Sequence, residues 1–62
     1  MPVVKIDLWE GRTLEQKDDL IKSVTEAIVK SLGIKPENII VILSEVSKDH
    51  WAVGGHRSSK KK

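Results

Sequence analysis

The first apolar segment of the chain alternates between large apolar side chains and other residues. Val4, Ile6 and Leu8 occupy every second position of residues 2–8. This period of two predicts a β-strand that buries one face, because successive side chains of a strand point to opposite sides. Gly11 follows shortly afterwards. Glycine adopts positive φ at little cost, so we predict that the strand ends in a turn before it.

The segment after this turn has the pattern of an amphipathic helix. Thr13 and Gln16 fit the capping box, in which each of the two side chains accepts a hydrogen bond from the backbone N–H of the other. Gly33 is well placed to end the helix in a left-handed conformation. Apolar residues recur between them at steps of one, three and four, which forms a stripe along one side. They are Leu20, Ile21, Val24, Ala27, Ile28 and Leu32.

A second apolar segment contains no polar residue at all. Residues 39–43 read I-I-V-I-L and follow a turn that contains Pro36. A continuous apolar run of this length predicts a strand that is buried on both faces. One helix covers only one face of a small sheet. We therefore expect a second subunit to cover the other face.

The order of these segments predicts the fold class. A strand, a helical crossover and a second strand form a β-α-β unit, and the crossover makes the two strands parallel. Gly54 and Gly55 separate two short extended pieces near the C-terminus, which is typical of a small hairpin. We predict an α/β fold in which residues 1–62 form a single β-α-β domain with parallel strands and a short C-terminal hairpin.

The length of the chain makes assembly the expected source of stability. A chain of 62 residues is below the size of roughly 70 to 80 residues at which one core stabilises a fold without help. It contains no cysteine, which excludes disulfides, thiolate metal sites and a cysteine nucleophile. Its two histidines, His50 and His56, predict no metal site. Oligomerisation remains as the stabilising device.

The charge pattern argues against a nucleic-acid or membrane partner. The net charge of +2 depends on the three C-terminal lysines, without which eight positive charges face nine negative ones. The body of the chain is therefore nearly neutral and predicts no basic face for nucleic acid.

No segment approaches the roughly 18 to 20 apolar residues of a membrane span. The N-terminus does not have the pattern of a signal peptide. We expect a cytoplasmic protein.

Pro2 is the clearest candidate for a catalytic residue. It follows the initiator Met1, and methionine before proline is usually removed after translation. The exposed prolyl nitrogen would be a secondary amine, close to the α-amino reference pKa of about 7.7 to 8.0. An apolar pocket or a nearby cation would lower this pKa toward the range of a general base. Taken alone, a proline at this position is better explained as the start of an edge strand.

The ordered set of these features resembles the 4-oxalocrotonate tautomerase family. It comprises a strand that opens at Pro2, the segment Glu10-Gly11-Arg12, the capped helix with Glu15-Gln16-Lys17, the apolar second strand and the closing Gly54-Gly55. The resemblance covers essentially the whole chain. It implies a β-α-β fold assembled as a homohexamer, a trimer of dimers of roughly six times 7.0 kDa. It also implies a cofactor-independent isomerase.

The resemblance implies roles for four residues. Pro2, once Met1 is removed, resembles the catalytic general base that moves a proton between oxygen and carbon or between two carbons. Arg12 resembles the arginine that binds a substrate carboxylate. Trp51 stands where the family has an aromatic wall, and Trp9 where it offers a backbone N–H to the substrate. The implied activity is keto–enol tautomerisation of small 2-hydroxydienoate or 2-keto acids.

Ile40 is the one departure from the family pattern that affects the chemistry. The family carries a second arginine at this position, which polarises the substrate oxygen and binds the adjacent carboxylate. Isoleucine donates no hydrogen bond, and loss of one such donor typically lowers kcat by about 10² to 10³. We therefore expect weak discrimination between monoacid and diacid substrates.

A second class of function competes with the enzyme at this stage. A small oligomeric interaction module or DNA-binding protein would also suit a short chain with a basic tail. Such dimers usually place two helices after the strand, whereas this pattern has one helix and a second apolar strand. The sequence thus favours the isomerase and leaves the module as the alternative.

Overall fold

The computed structural model describes residues 1–60, so that Lys61 and Lys62 of the basic tail lie outside it. It contains four strands and one α-helix, with short 3₁₀ turns at Pro36–Asn38 and Lys48–His50. The strands are β1 Val3–Trp9, β2 Ile40–Val46, β3 Ala52–Val53 and β4 His56–Arg57, and the helix α1 is Leu14–Leu32.

The β-α-β prediction with parallel strands and a C-terminal hairpin is confirmed. β1 and β2 pair in parallel, from Val3 beside Ile40 to Trp9 beside Val46. β3 and β4 pair antiparallel in a separate hairpin about Gly54 and Gly55. The C-terminal hairpin thus forms its own two-stranded sheet.

The second strand is longer than its apolar run and begins one residue later than predicted. Ile39 closes the preceding turn, where its N–H donates to the Pro36 carbonyl at 3.0 Å. Ser44 and Glu45 continue the strand although they are polar, because β1 extends opposite them. Pairing with a neighbouring strand therefore determines this boundary more strongly than hydropathy does.

The predicted helix caps are present. Thr13 has extended backbone angles, and its Oγ1 accepts from the Gln16 N–H at 3.1 Å while Gln16 Oε1 accepts from the Thr13 N–H at 3.0 Å. Gly33 has φ of 67° and donates its N–H to the Val29 carbonyl at 2.8 Å. These bonds satisfy backbone groups that a helix end leaves without partners, and they fix where α1 starts.

Only one face of the β1–β2 sheet is covered within the chain. Side chains that face α1 are half-buried, whereas those of Val3, Ile40 and Ile42 on the other face are 58%, 41% and 44% exposed. No residue among 1–60 is fully buried. The strand that was predicted to be buried on both faces is therefore covered on only one face within the single chain, and its other apolar face is open.

The helix is amphipathic, as predicted, and charged residues occur between its apolar residues along its length. Across residues 1–60, no helix has both the length and the apolar character that crossing a bilayer requires.

Candidate active site

Arg12 lies at the edge of an apolar groove between β1 and the start of α1. The segment that carries it turns at Gly11, whose φ of 115° suits glycine alone. Thr13 then begins the helix, so the backbone of Arg12 is held between a fixed turn and a fixed cap. The groove has a volume of about 340 Å³, and its lining residues are Ile6, Leu8, Arg12, Gln16, Lys17 and Leu20.

The groove carries one cation that no carboxylate among residues 1–60 neutralises. Lys17 Nζ donates to Glu45 Oε1 at 2.9 Å and joins α1 to β2 in the one ion pair that residues 1–60 contain. Arg12 takes no part in that pair. Its guanidinium therefore stands beside an apolar surface with its donors available, which suits a small carboxylic acid with an apolar body.

Pro2 lies at the opposite end of β1 from Arg12. Its carbonyl accepts the Ile40 N–H at 3.0 Å at the start of the parallel pair. From the first to the last Cα atom, the seven residues of β1 span about 20 Å, because each of the intervening steps advances about 3.3 Å. A single chain therefore does not bring its own Pro2 and Arg12 to one substrate.

Ile40 is joined to Pro2 by a backbone hydrogen bond, and its side chain lies elsewhere. Its side chain points to the open face of the sheet with Ile42, whereas the Arg12 groove lies on the face that α1 covers. The two side chains are thus separated both along the strand and across the sheet.

The two tryptophans meet on the open face. The rings of Trp9 and Trp51 pack edge to face, with centroids 6.1 Å apart and an interplanar angle of 75°. Lys48 Nζ stands 4.5 Å from the Trp9 ring centroid, a cation–π contact. Within one chain, Trp51 therefore lies near Trp9 but not in the Arg12 groove.

Two contacts were not predicted from the sequence. The Lys17–Glu45 pair joins residues 28 positions apart, and the contact of Lys48 with Trp9 depends on how the chain returns after β2. The Lys17 side chain is 20% exposed, and its ammonium bonds Glu45.

Metal ligands do not gather anywhere in the described part of the chain. Residues 1–60 hold no group of three or more His, Cys, Asp or Glu side chains that could bind an ion together. The candidate site thus consists of a cation with an apolar groove at one end of β1 and a proline at the other.

Comparisons with known proteins agree with the β-α-β fold and with the family resemblance of the sequence. A family model described as tautomerase enzyme matches residues 2–61. The 2-hydroxymuconate tautomerase of Bacillus subtilis (strain 168) is 48% identical over 59 residues, 95% of each chain. The crystal structure of a 4-oxalocrotonate tautomerase homologue superposes with a TM-score of 0.90 at 44% identity, covering 100% of this chain and 98% of the other. A heterohexameric 4-oxalocrotonate tautomerase from Chloroflexus aurantiacus J-10-fl superposes with a TM-score of 0.93 at 29% identity, covering 100% of both chains.

Proposed function

The chain belongs to the tautomerase family, and from this membership we propose that it interconverts keto and enol forms of small 2-hydroxydienoate or 2-keto acids, with Pro2 as the general base. Tautomerase activity makes the protein an isomerase. The observation that carries the proposal is the Arg12 guanidinium, free of carboxylate partners among residues 1–60, at the rim of an apolar groove.

The proposed reaction moves one proton and requires no cofactor. With Met1 removed, the Pro2 nitrogen has a lone pair and takes the proton of the substrate 2-hydroxyl group. The electrons of the O–H bond form the carbonyl, and the conjugated double bonds shift along the chain. A carbon atom then takes the proton back from the prolyl ammonium. The base is regenerated, and substrate and product have the same atoms.

The two ends of β1 suggest that the site is shared between subunits. Pro2 and Arg12 are separated by about the length of a seven-residue strand, about 20 Å. A second chain that runs antiparallel to the first would place its own Pro2 near this Arg12. Edge-to-edge pairing would also remove an exposed sheet edge. The proposed assembly is a homohexamer, in which the open apolar face of each sheet is covered by further copies.

The aromatic residues have supporting roles in this proposal. Trp51 would form an apolar wall of the assembled pocket, and Trp9 would offer its backbone N–H to the substrate. In parallel pairing with β2, the backbone of Trp9 points to the free edge of β1, since the N–H of Glu10 already bonds the Val46 carbonyl. The Trp9 N–H is thus available to a ligand or to another chain.

Replacing Arg12 by alanine should raise the KM for acidic substrates about 10- to 150-fold, because one charge-assisted hydrogen-bonding contact contributes about 1.5 to 3 kcal/mol. The thermal midpoint should change little, since Arg12 is exposed and forms no ion pair within residues 1–60. Steady-state ketonisation followed by ultraviolet absorbance gives the first value and thermal denaturation gives the second.

Lys22→Ala is the matched control for this experiment, because it removes one positive charge from the exposed side of α1. If Arg12→Ala and Lys22→Ala have the same KM as the unmodified chain, Arg12 does not bind the substrate.

A substrate panel tests the consequence of Ile40. The kcat/KM for the diacid 2-hydroxymuconate should lie within about tenfold of that for a monoacid such as phenylenolpyruvate, since no second arginine holds the second carboxylate. Ile40→Arg should raise the diacid value about tenfold or more, whereas Ile40→Leu should leave the ratio unchanged. A strong diacid preference in the unmodified chain would mean that another cation occupies the place of the missing arginine.

A further inference from the structure

Lys5 and Asp7 place opposite charges two residues apart on the open face of the sheet. Both side chains are exposed, and neither forms an ion pair with another residue among 1–60. Asp7 borders a shallow hollow with His50 and Trp51, and no ion pair joins Asp7 to His50 there. We propose that these two charges direct assembly: in an antiparallel pairing of two β1 strands, Lys5 and Asp7 of one copy form a four-charge cluster with Lys5 and Asp7 of a second copy.

The backbone of β1 has a free edge for this pairing. The Pro2 carbonyl accepts from Ile40 and the Glu10 N–H donates to Val46. In a strand, backbone groups alternate between the two sides, so the even-numbered residues of β1 bond β2 and the odd-numbered ones point away from it. The hydrogen-bonding groups at the free edge are those of Val3, Lys5, Asp7 and Trp9.

This alternation limits how two copies can pair. Odd-numbered residues must face odd-numbered residues, so a twofold axis near the middle of the strand falls on Lys5, Ile6 or Asp7. On Ile6, each Lys5 lies directly opposite the partner's Asp7. With the axis on Lys5 or Asp7, each Lys5 lies one diagonal step from the partner's Asp7, at about 7 to 8 Å between Cα atoms. This distance is within reach of a lysine side chain. In all three registers the cluster holds two positive and two negative charges on one face.

The four charges must balance one another because they would lie on a mostly apolar face that further copies cover. The open face is otherwise apolar around Val3, Ile40 and Ile42, and further copies would cover it. A charge that is covered without a partner is strongly destabilising, whereas a neutral cluster is tolerated. The Lys5–Asp7 pattern is fully complementary to itself in the antiparallel register with the axis on Ile6, whereas parallel strands in register would set Lys5 against Lys5 and Asp7 against Asp7.

The same pairing would complete the proposed active site, and this step rests on the proposed function. With the twofold axis on Lys5, Ile6 or Asp7, Pro2 falls opposite residue 8, 10 or 12 of the partner. Even-numbered side chains of β1 face α1, as do the Ile6 and Leu8 side chains of the groove. Pairing through β2 instead would keep the two β1 strands about 14 Å apart, three strand spacings. Of the two sheet edges, the β1 edge is therefore the one that brings Pro2 to the partner's Arg12.

Charge reversal tests the cluster through assembly alone. Lys5→Glu and Asp7→Lys each turn the cluster into four like charges, and each should weaken self-association about tenfold or more. An equimolar mixture of the two variants restores two charges of each sign. It should assemble like the unmodified chain, with the two variants in equal numbers. The double variant Lys5→Glu/Asp7→Lys should assemble with itself. Lys22→Glu, on the exposed side of α1, is the matched control.

Sedimentation velocity and native mass spectrometry of these proteins at micromolar concentration measure the outcome. Unchanged assembly of both single variants would overturn the proposal, and so would a double variant that fails to regain it. These readouts use no substrate, so they remain valid if the protein has no activity on 2-hydroxy or 2-keto acids. That result would contradict the proposed function and leave the charge cluster standing.

Discussion

A chain that retains Met1 should lose nearly all tautomerase activity. The nitrogen of Pro2 is then part of a peptide bond, and an amide nitrogen has no basic lone pair. A positioned general base contributes typically 10²- to 10⁴-fold to the rate, so kcat should fall by about that factor. The measurement is ultraviolet ketonisation on two samples whose N-termini are established by intact mass, one with Met1 and one without.

The control for this experiment is the same one-residue extension at the C-terminus. It adds a methionine without blocking the amine and should leave kcat unchanged. Pro2→Ala is a weaker test, because it leaves a more flexible primary amine and therefore partial activity. Full activity in protein proven to retain Met1 would exclude Pro2 as the base.

The rate of the processed protein should also depend on pH in a defined direction. In the assembled site, the partner's Arg12 and an apolar wall would both disfavour the protonated amine, which lowers the pKa of the Pro2 amine. Below that pKa the amine is protonated and inactive, and above it the amine is neutral and competent. The acid limb of kcat/KM should therefore have its midpoint below the α-amino reference of about 7.7 to 8.0.

The sequence predicted the elements of the fold because their signals are local. The alternation in β1, the capping pair of Thr13 and Gln16, and the left-handed Gly33 each involve residues within one turn or one strand. The exact span of β2 was not predictable in the same way. Ser44 and Glu45 belong to it only because β1 provides partners for them, and no local pattern encodes that pairing.

The candidate site could be predicted by residue but not by arrangement. The family resemblance singled out Arg12, whereas the apolar groove beside it is visible only in the structure. The side of the sheet on which Trp51 lies depends on the path of the chain after β2, which the sequence pattern does not specify. The separation of Pro2 from Arg12, by contrast, follows directly from the length of the first strand.

Two impaired variants should together regain activity, because the proposed site takes Pro2 from one chain and Arg12 from another. One variant retains Met1 and keeps Arg12, and the other has a free Pro2 and carries Arg12→Ala. Unfolded together and refolded, they form mixed dimers with one intact and one doubly defective site. Random pairing makes half of the dimers mixed, so about a quarter of all sites should be intact.

On an acidic substrate, the activity of the mixture should therefore approach about a quarter of that of the refolded unmodified chain. The substrate concentration is kept well below the KM of the Arg12→Ala sites. Each variant refolded alone is the control, and mixing them without unfolding shows how fast subunits exchange. Mixed oligomers that native mass spectrometry detects but that recover no activity would mean that Pro2 and Arg12 do not serve a common site across the subunit interface. Because Pro2 and Arg12 lie at opposite ends of a seven-residue strand, the chain would then have to bind its substrate without one of them.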